Sequence, residues 1–295
     1  MLSIIVPVYQ VVSTLQRCVD SLLDQNIEEA EIILVDDGST DGSSALCDAL
    51  AAQYTQISVV HQDNAGLSAA RNTGLQHTRG DIITFVDSDD TLAPNTYRPL
   101  LREFQDLPDC DLLEYSVAIE QGAKRLTSHL NLPRAVYDTP QQYWLQGQAW
   151  RHTYAWNKLY RRYLFDPSDQ GDAVRFPVGK IFEDAITLPL LLKKARHIAT
   201  TSTGTYRYAY NPQGISVNAS GQDLSTLLET HVQTLQQWHD ATYYAHLLNL
   251  QLDVYRLTHQ PPILPSMPYA NTPKLMIAKL IGIENLCKIH SKWKK

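Results

Sequence analysis

Three carboxylates follow a short apolar segment near residue 90. Residues 82–86 are mostly β-branched or aromatic and predict a buried strand, and Asp87, Asp89 and Asp90 come directly after it. On an extended backbone, Asp87 and Asp89 would point to one side and Ser88 to the other. Two aligned carboxylates repel each other unless a cation lies between them, and such oxygen ligands suit Mg²⁺ or Mn²⁺. The alternative is a solvated acidic turn, in which aspartate is common.

The elements that position this acidic motif alternate between strand and helix patterns. Strands are predicted at 3–8, 31–36, 57–61 and 81–86, and helices at 14–26, 43–50 and 67–77. This alternation indicates βαβ units and an α/β fold whose mostly parallel sheet is flanked by helices on both faces.

Polar residues cluster where such a fold binds its ligands. They follow each of the four predicted strands, at 7–10, 36–41, 62–64 and 87–90. In open α/β sheets, ligands bind beyond the carboxyl ends of the strands. We therefore expect a ligand site at this edge of the sheet.

The composition is that of a folded globular protein. An apolar fraction of 44% over 295 residues suffices for one large domain or two modest ones, and the net charge of −6 argues against general nucleic-acid binding. The four cysteines form no C-x-x-C pair, which indicates reduced thiols and neither a disulfide framework nor a zinc site. Residues 1–7 predict a first strand rather than a signal peptide, and no run reaches the ~18 apolar residues of a membrane span.

Phosphate binding would have to use side chains. The glycine-rich patterns G-x-G-x-x-G and G-x-x-x-x-G-K-[ST] do not occur in the chain. Arg71 is the candidate cation, because a guanidinium suits the oxygens of a diphosphate. The alternative for Arg71 is an ordinary exposed charge on a helix.

Four ordered motifs carry a resemblance to a known family. They are Pro-Val-Tyr at 7–9, Val-Asp-Asp-Gly-Ser-Thr-Asp at 35–41, Asn-Ala-Gly-Leu-Ser-Ala-Ala-Arg-Asn-Thr-Gly at 64–74 and Asp-Ser-Asp-Asp at 87–90. Together they resemble the family 2 nucleotide-sugar glycosyltransferases, which have the Rossmann-like GT-A fold. The match is close over the first third of the chain, where Gln10 replaces the asparagine of many members.

The resemblance implies roles for residues of the first half. Pro7, Tyr9 and Asp37 would hold the base and ribose, typically of uridine, and a carboxylate can accept the imide N–H of uracil. Asp87 and Asp89 would be the D-x-D pair, with Asp89 the more direct ligand of a Mn²⁺ or Mg²⁺ ion that neutralises the leaving diphosphate. The residues implied for the nucleotide sugar are Pro7, Tyr9, Asp37, Asn64, Arg71, Asp87 and Ser88.

The second half must supply a catalytic base. Glu183 and Asp184 stand before an amphipathic helical pattern, with Asp184 at or near the helix start. Aspartate is also a preferred N-cap residue, so a structural role is the alternative. In similar glycosyltransferases this Glu-Asp pair carries the base of an inverting transfer, which implies Asp184 as the base and Glu183 as the fallback.

The acceptor residues are predicted from side-chain chemistry. Trp156, Asn157 and Lys158 lie in a segment rich in residues that stack on sugars or bind anions. Tyr206 lies in a Tyr-Arg-Tyr strand pattern that resembles a segment of capsule and exopolysaccharide transferases. It is assigned to the acceptor groove, with core packing as the alternative.

The chain beyond the catalytic motifs is predicted to be mainly helical. We divide the whole chain into a catalytic domain at 1–220, a helical scaffold at 221–260, a proline-rich linker at 261–273 and a basic tail at 274–295. Within the catalytic domain, residues 1–118 form the nucleotide-sugar and metal half, and residues 119–220 form the acceptor and base half. The tail has six lysines and one acid, with Met276, Leu280, Ile283 and Cys287 at helical spacing. This pattern predicts either contact with an anionic membrane surface or a helix docked on the protein.

These signals together indicate an inverting, metal-dependent hexosyltransferase. It would move a sugar from a nucleotide diphosphate donor, taken as UDP-linked, to a cell-surface glycan or lipid-linked acceptor, in the cytoplasm or on the inner face of the cell membrane. The main alternative is a catalytically silent sugar-nucleotide or glycan-binding module. The presence of Asp37, Arg71, Asp87, Asp89 and Asp184 favours the enzyme. A nucleotidyltransferase is the third interpretation, but the loop after the first strand lacks the glycine- and Arg/Lys-rich sequence of such enzymes.

Overall fold

The computed structural model describes residues 1–121, 125–167, 171–211 and 218–293. The chain divides into two compact units, one formed by Met1–Pro140 and Tyr154–Pro212 and the other by Gln141–Thr153 and Gln213–Lys295. The sequence predicts a continuous catalytic domain over 1–220, whereas residues 141–153 group with the C-terminal unit.

Four parallel strands form one half of the sheet in the first unit. β1 (Leu2–Val8), β2 (Ala30–Asp36), β3 (Ile57–His61) and β4 (Ile82–Phe85) lie in the order β3-β2-β1-β4. β1 is buried along its whole length, as its uninterrupted apolar sequence requires. The parallel arrangement predicted from the sequence is confirmed over this half.

Three helices connect these strands and cover both faces of the sheet. They are α1 (Val12–Leu23), α2 (Ser43–Gln53) and α3 (Leu67–His77). Leu15 of α1 and Cys47 of α2 join the core on one face. On the other face, Gly74 of α3 lies so close to Ile5 that a Cβ would overlap its side chain. This close approach presses the helix that carries Arg71 against the sheet.

The second half adds antiparallel strands to the mostly parallel sheet. Its strands are β5 (Thr91–Leu92), β6 (Cys110–Gln121), β7 (Arg125–Leu130), β8 (Ala135–Tyr137), β9 (Lys158–Arg161) and β10 (His197–Ala209). Across the described ranges, ten strands form one sheet in the order β3-β2-β1-β4-β9-β6-β10-β5, with β7 on β6 and β8 on β10. β9 is antiparallel to both of its neighbours, whereas β6 and β10 are parallel. The intervening helices are α4 (Tyr97–Asp106), α5 (Pro140–Leu145), α6 (Glu183–Leu192) and two short 3₁₀ helices, Ala149–Arg151 and Arg162–Leu164.

The C-terminal unit is mainly helical, as predicted. α7 (Gly221–Gln237) and α8 (Ala241–Thr258) occupy the predicted scaffold, and the carboxylate of Asp240 caps α8 by accepting a hydrogen bond from the Thr242 N–H. The proline-rich segment after α8 is irregular up to α9 (Pro273–Ile281), as predicted. It packs on α8 rather than hanging free, because Gln251 Oε1 accepts a hydrogen bond from the Ile263 N–H at 2.8 Å.

The predicted tail consists of two helices rather than one. α9 and α10 (Ile283–Trp293) meet at Gly282, whose φ of +82° favours glycine. The break divides the predicted apolar stripe: Met276 and Leu280 are exposed on α9, whereas Ile283 and Cys287 are buried in α10, which packs on α8. The last two lysines of the tail lie outside the described residues. Within the described part of the chain, every helix is too short or too polar to cross a membrane.

Candidate active site

The acidic motif after β4 is a β-turn. The Asp90 N–H donates a hydrogen bond to the Asp87 carbonyl oxygen at 3.0 Å, and β4 ends at Phe85, so the predicted extended backbone is wrong. The Tyr206 hydroxyl anchors the turn, since it donates to Asp90 Oδ2 at 2.8 Å and accepts from the Asp87 N–H at 3.1 Å. Burial and the charges of Asp87 and Asp89 raise the pKa of Asp90 well above its usual range.

Asp89 is the acid of this turn that a cation would stabilise. Burial and the charge of Asp87 raise the pKa of Asp89. Among the described residues, no group of three or more His, Cys, Asp or Glu side chains is arranged to hold a metal ion. The turn can therefore provide only part of a coordination shell, and the remaining oxygen ligands must come from a bound molecule or from water.

Arg71 lies at the centre of the site. Its side chain is 1% exposed and forms three ion pairs, from Nη1 to Glu183 at 2.5 Å and to Asp184 at 2.9 Å, and from Nη2 to Asp87 at 3.0 Å. Burial opposes the charged form, but the three carboxylates outweigh it and raise the pKa of Arg71. The structure corrects the prediction of a guanidinium available for diphosphate, since Arg71 pairs with the acids of the site and holds them together.

Asp184 is connected to both halves of the catalytic sequence. Its Oδ1 accepts from Arg71, and its Oδ2 accepts from the Ala155 N–H at 3.0 Å. The position near a helix start is confirmed, but Phe182, with a φ of +61°, is the N-cap residue, so the capping alternative is wrong. Burial raises the pKa of Asp184 to about 7, where Arg71 opposes the shift and Glu183 adds to it. The side chain remains 16% exposed and thus reachable by a substrate.

The loops after β2 and β3 pack against each other. Gly38 has a φ of +76°, and a Cβ there would lie 3.0 Å from the Asn64 backbone nitrogen, so this contact requires glycine. The buried Asp37 carboxylate accepts hydrogen bonds from Gln62 Nε2 at 2.6 Å and from the Gly66 N–H at 2.8 Å. Asp37 therefore fixes the loop that presents the exposed Asn64.

The polar segments after β1, β2 and β3 meet at one edge, as predicted. The Gln10 N–H donates to Ser39 Oγ at 3.2 Å. Tyr9 is 49% exposed directly after β1, whereas Pro7 and Ser88 are buried. An open depression at this edge is lined by Asp36, Gly38, Ser39, Ser44, Asp48, His61, Gln62 and Asp63.

Two of the four predicted acceptor residues belong to a buried polar cluster. Lys158 Nζ donates to Glu114 Oε1 at 2.8 Å, and Asn157 Nδ2 donates to the same oxygen at 3.1 Å. All three side chains are completely buried, and burial lowers the pKa of Lys158 while Glu114 opposes that shift. The structure therefore corrects the prediction that Asn157 and Lys158 contact the acceptor directly.

The other two predicted acceptor residues lie inside an aromatic stack. Trp156 and Tyr206 have ring centroids 4.2 Å apart, and both side chains are buried, so the core-packing alternative describes Tyr206. Tyr154, which the sequence analysis did not single out, stacks on Trp156 at 4.6 Å and is 38% exposed. In the sequence, Tyr154 is marked by its aromatic side chain two positions before Trp156. Glu114, also missed, had no signal beyond being an acid within an apolar strand.

The fold and the site together define a GT-A glycosyltransferase. β4, in the parallel half of the sheet, leads into an acidic turn, and Arg71 pairs with carboxylates of both that turn and α6. The structure of S. aureus TarS 1-349 in complex with UDP-GlcNAc has a TM-score of 0.69 to this chain, covers 99% of it and 91% of TarS 1-349, and is 17% identical. The chain belongs to glycosyl transferase family 2, whose profile matches residues 3–167.

Relatives with curated names agree with this family. EpsJ of Bacillus subtilis (strain 168), an uncharacterized glycosyltransferase, is 30% identical over an alignment of 288 residues that covers 93% of this chain and 80% of EpsJ. GgaA of the same strain, a minor teichoic acid biosynthesis protein, is 30% identical over an alignment of 228 residues that covers 70% of this chain and 47% of GgaA. The chain spans 48% of a third relative, EpsH, with 32% identity over 166 residues. The chain spans about half the length, or less, of several of the curated relatives that it matches.

Proposed function

We propose that the protein is an inverting, metal-dependent glycosyltransferase that moves a hexose-type sugar from a UDP-linked donor to a hydroxyl of a cell-surface glycan or lipid-linked acceptor. The observation that carries this proposal is the ion-pair cluster at Arg71. Asp87, from the acidic turn, and Asp184, from the start of α6, pair with the same guanidinium at 3.0 and 2.9 Å. A single displacement needs donor-side and acceptor-side groups held in such proximity.

Asp184 is the base in this proposal. Its carboxylate takes the proton of the acceptor hydroxyl while that oxygen forms a bond to the anomeric carbon of the donor sugar. The bond between the anomeric carbon and the diphosphate breaks, and its electron pair leaves with the nucleoside diphosphate. The Ala155 N–H and Arg71 orient the carboxylate, and a pKa of about 7 suits proton transfer near neutral pH. Glu183, on the same Nη1, is the fallback.

Asp89 is the proposed ligand of Mn²⁺ or Mg²⁺, with Asp87 beside it. The carboxylate oxygens of Asp87 and Asp89 suit a hard cation. Burial and repulsion by Asp87 raise the pKa of Asp89, and a bound cation would lower it again. One oxygen of Asp87 is already paired with Arg71, which makes Asp89 the more available ligand. A metal bound there would supply charge neutralisation for the departing diphosphate.

The nucleotide is proposed to lie along the edge formed by the loops after β1, β2 and β3. Tyr9 and Asn64 are exposed there. Among the described hydrogen bonds, Asp37 Oδ2 accepts one, from Gly66, so it retains a lone pair for the imide N–H of uracil. The TarS structures with UDP-GlcNAc and with UDP support a uridine nucleotide as the donor class.

A nucleotide-sugar screen tests this function. The full-length protein is incubated with UDP-, GDP- and dTDP-sugars, with Mn²⁺ or with EDTA, and both its melting temperature and nucleoside diphosphate release are measured. We expect Mn²⁺-dependent stabilisation and release with a UDP-sugar, and the loss of both in Asp89→Ala. Asp184→Asn should retain the stabilisation but lose roughly 10²–10⁴ in rate. Stabilisation without release by the unmodified protein would support the silent binding module instead, and full activity of Asp184→Asn would move the base to Glu183.

The acceptor is proposed to reach the enzyme at a membrane surface. α9 exposes Met276, Ile277 and Leu280, the last with 83% of its surface, and lysines lie nearby in the tail. An apolar strip beside positive charge fits the headgroup region of an anionic bilayer. We assign this contact to α9 rather than to α10, where Ile283, Leu286 and Cys287 are buried, and propose that it lies on the inner face of the cell membrane.

A further inference from the structure

Four aromatic side chains form one stack beside the candidate base. Trp156 lies parallel to Tyr154, with centroids 4.6 Å apart and planes at 9°, and to Tyr208, at 5.7 Å and 4°. Tyr206 stacks on Trp156 at 4.2 Å. We call these four residues the aromatic shelf. Trp156 and Tyr206 are buried, Tyr208 is half-buried and Tyr154 is 38% exposed, so the surface that a ligand can reach belongs to Tyr154 and Tyr208.

The aromatic shelf is attached to the reaction site at both ends. At one end, the peptide N–H of Ala155, the residue after Tyr154, donates to Asp184 Oδ2 at 3.0 Å. At the other end, the Tyr206 hydroxyl donates to Asp90 Oδ2 at 2.8 Å and so holds the acidic turn. The shelf therefore connects the segment that orients the candidate base with the turn that carries the candidate metal ligands.

Electrostatic effects on the two accessible phenols agree with this location. Burial, then the charges of Glu114 and Asp184, raises the pKa of Tyr154. Burial, then the charges of the acidic turn, raises the pKa of Tyr208 to about 12. The charge of Asp184 thus acts on Tyr154, and the charges of the acidic turn act on Tyr208.

We propose that Tyr154 and Tyr208 form the acceptor subsite, and that this subsite takes an uncharged pyranose ring with its C–H face on Tyr154. The proposal deepens the proposed function and rests on it. The negative face of an aromatic ring attracts the C–H groups that line one side of a pyranose. In this position a ring hydroxyl can approach Asp184.

The charges around the shelf select against an anionic acceptor. Asp184 must be ionised to act as the base, and its carboxylate would then repel a phosphate. The buried Lys158 does not offset that charge, because its ammonium group is paired with Glu114 at 2.8 Å. Arg207 alternates to the opposite side of β10 from Tyr206 and Tyr208 and pairs with Glu120 at 3.8 Å. A neutral sugar ring is therefore favoured over a polyol phosphate.

Acceptor kinetics test the subsite. The full-length protein is given the UDP-sugar that it turns over, and UDP release above the hydrolysis background is measured with methyl hexopyranosides, with glycerol and with glycerol phosphate. We expect the pyranosides to accelerate release most. Tyr154→Ala should raise the pyranoside KM by about tenfold, or about 1.4 kcal/mol, while the donor KM stays the same. Tyr154→Phe should keep the KM of the unmodified protein, because the ring and not the hydroxyl makes the contact.

A control variant and a second shelf variant separate this proposal from a general loss of structure. Tyr163→Ala removes a tyrosine of similar exposure, 46%, outside the shelf and should leave the pyranoside KM unchanged. Tyr208→Ala should raise it as Tyr154→Ala does. An unchanged pyranoside KM in both shelf variants, or a preference for glycerol phosphate, overturns the subsite while UDP release still upholds the proposed function. The absence of release with every nucleotide sugar overturns the proposed function, and the subsite with it.

Discussion

Replacing Arg71 by methionine removes the cation shared by Asp87, Glu183 and Asp184. Three carboxylates then face one another across an apolar side chain. We expect the free energy of unfolding at pH 7.5 to fall by about 3–5 kcal/mol, as when one partner of a buried ion pair is removed. The lower end of this range applies, because the carboxylate side chains are 25%, 13% and 16% exposed and water screens part of their repulsion.

The loss should shrink as the pH falls. Without the guanidinium, repulsion raises the pKa of these carboxyls in the folded state above the value of about 4 in the unfolded chain. A carboxyl with a raised folded-state pKa takes up its proton in the folded protein first, so the variant becomes more stable as the pH decreases. For each carboxyl that takes up a proton only in the folded state, lowering the pH by two units recovers up to about 2.7 kcal/mol of the free energy of unfolding. At pH 5.5 we therefore expect a loss of only about 1–2 kcal/mol.

Urea unfolding followed by circular dichroism at pH 7.5 and 5.5 measures both quantities. Arg98→Met is the control, because Arg98 is exposed on α4 and donates to the Asn26 carbonyl oxygen at 2.6 Å. Its change should stay within about 0.5 kcal/mol at either pH. A loss below about 1 kcal/mol for Arg71→Met at pH 7.5, or a loss that is the same at pH 5.5, would refute the reasoning from buried ion pairs.

Gly74→Ala should lower the free energy of unfolding by about 1–3 kcal/mol in urea titrations, because its Cβ would overlap a β1 side chain, whereas Gly171→Ala has open space and should be nearly neutral. The kcat/KM for transfer should rise with pH through a limb near 7, because Asp184 must lose its proton to act as a base. A flat profile between pH 5 and 9 would count against that role. Leu280→Glu should weaken co-sedimentation with phosphatidylglycerol vesicles, while Val136→Glu, at an exposed position of β8, should not. Equal binding by these two variants would favour the docked-helix alternative.

Elements with a local signal could be predicted from the sequence. β3 and α3 have the predicted bounds, because an apolar run and a helical spacing are read within a few residues. The acidic motif is predictable for the same reason. The backbone conformation of the motif is not predictable locally, because Tyr206 holds the turn through Asp90, 116 residues away in the sequence.

Pairings between distant residues explain the side chains that were misassigned. Arg71 and Glu183 are 112 residues apart, and Glu114 and Lys158 are 44 apart. A charged residue on a helix or strand gives no local sign that it will be buried and paired, so composition suggested ligand contacts where the structure has ion pairs. Trp156 has the right chemistry for an acceptor site, but Tyr154 stacks on it, and Tyr154 is the residue exposed to solvent.

The position of β9 determines how much of the chain must be synthesised before β4 and β6 can both be paired on their facing edges. β9 lies between β4 and β6, and Tyr160 is opposite Ile83 on one side and Leu112 on the other. Until residues 158–161 leave the ribosome, the N–H and C=O groups along these edges have no strand to pair with. Open edges of this kind promote association between chains. A fragment that ends before β9 should therefore aggregate rather than persist as a smaller nucleotide-binding protein, and a stable truncation has to extend beyond residue 161.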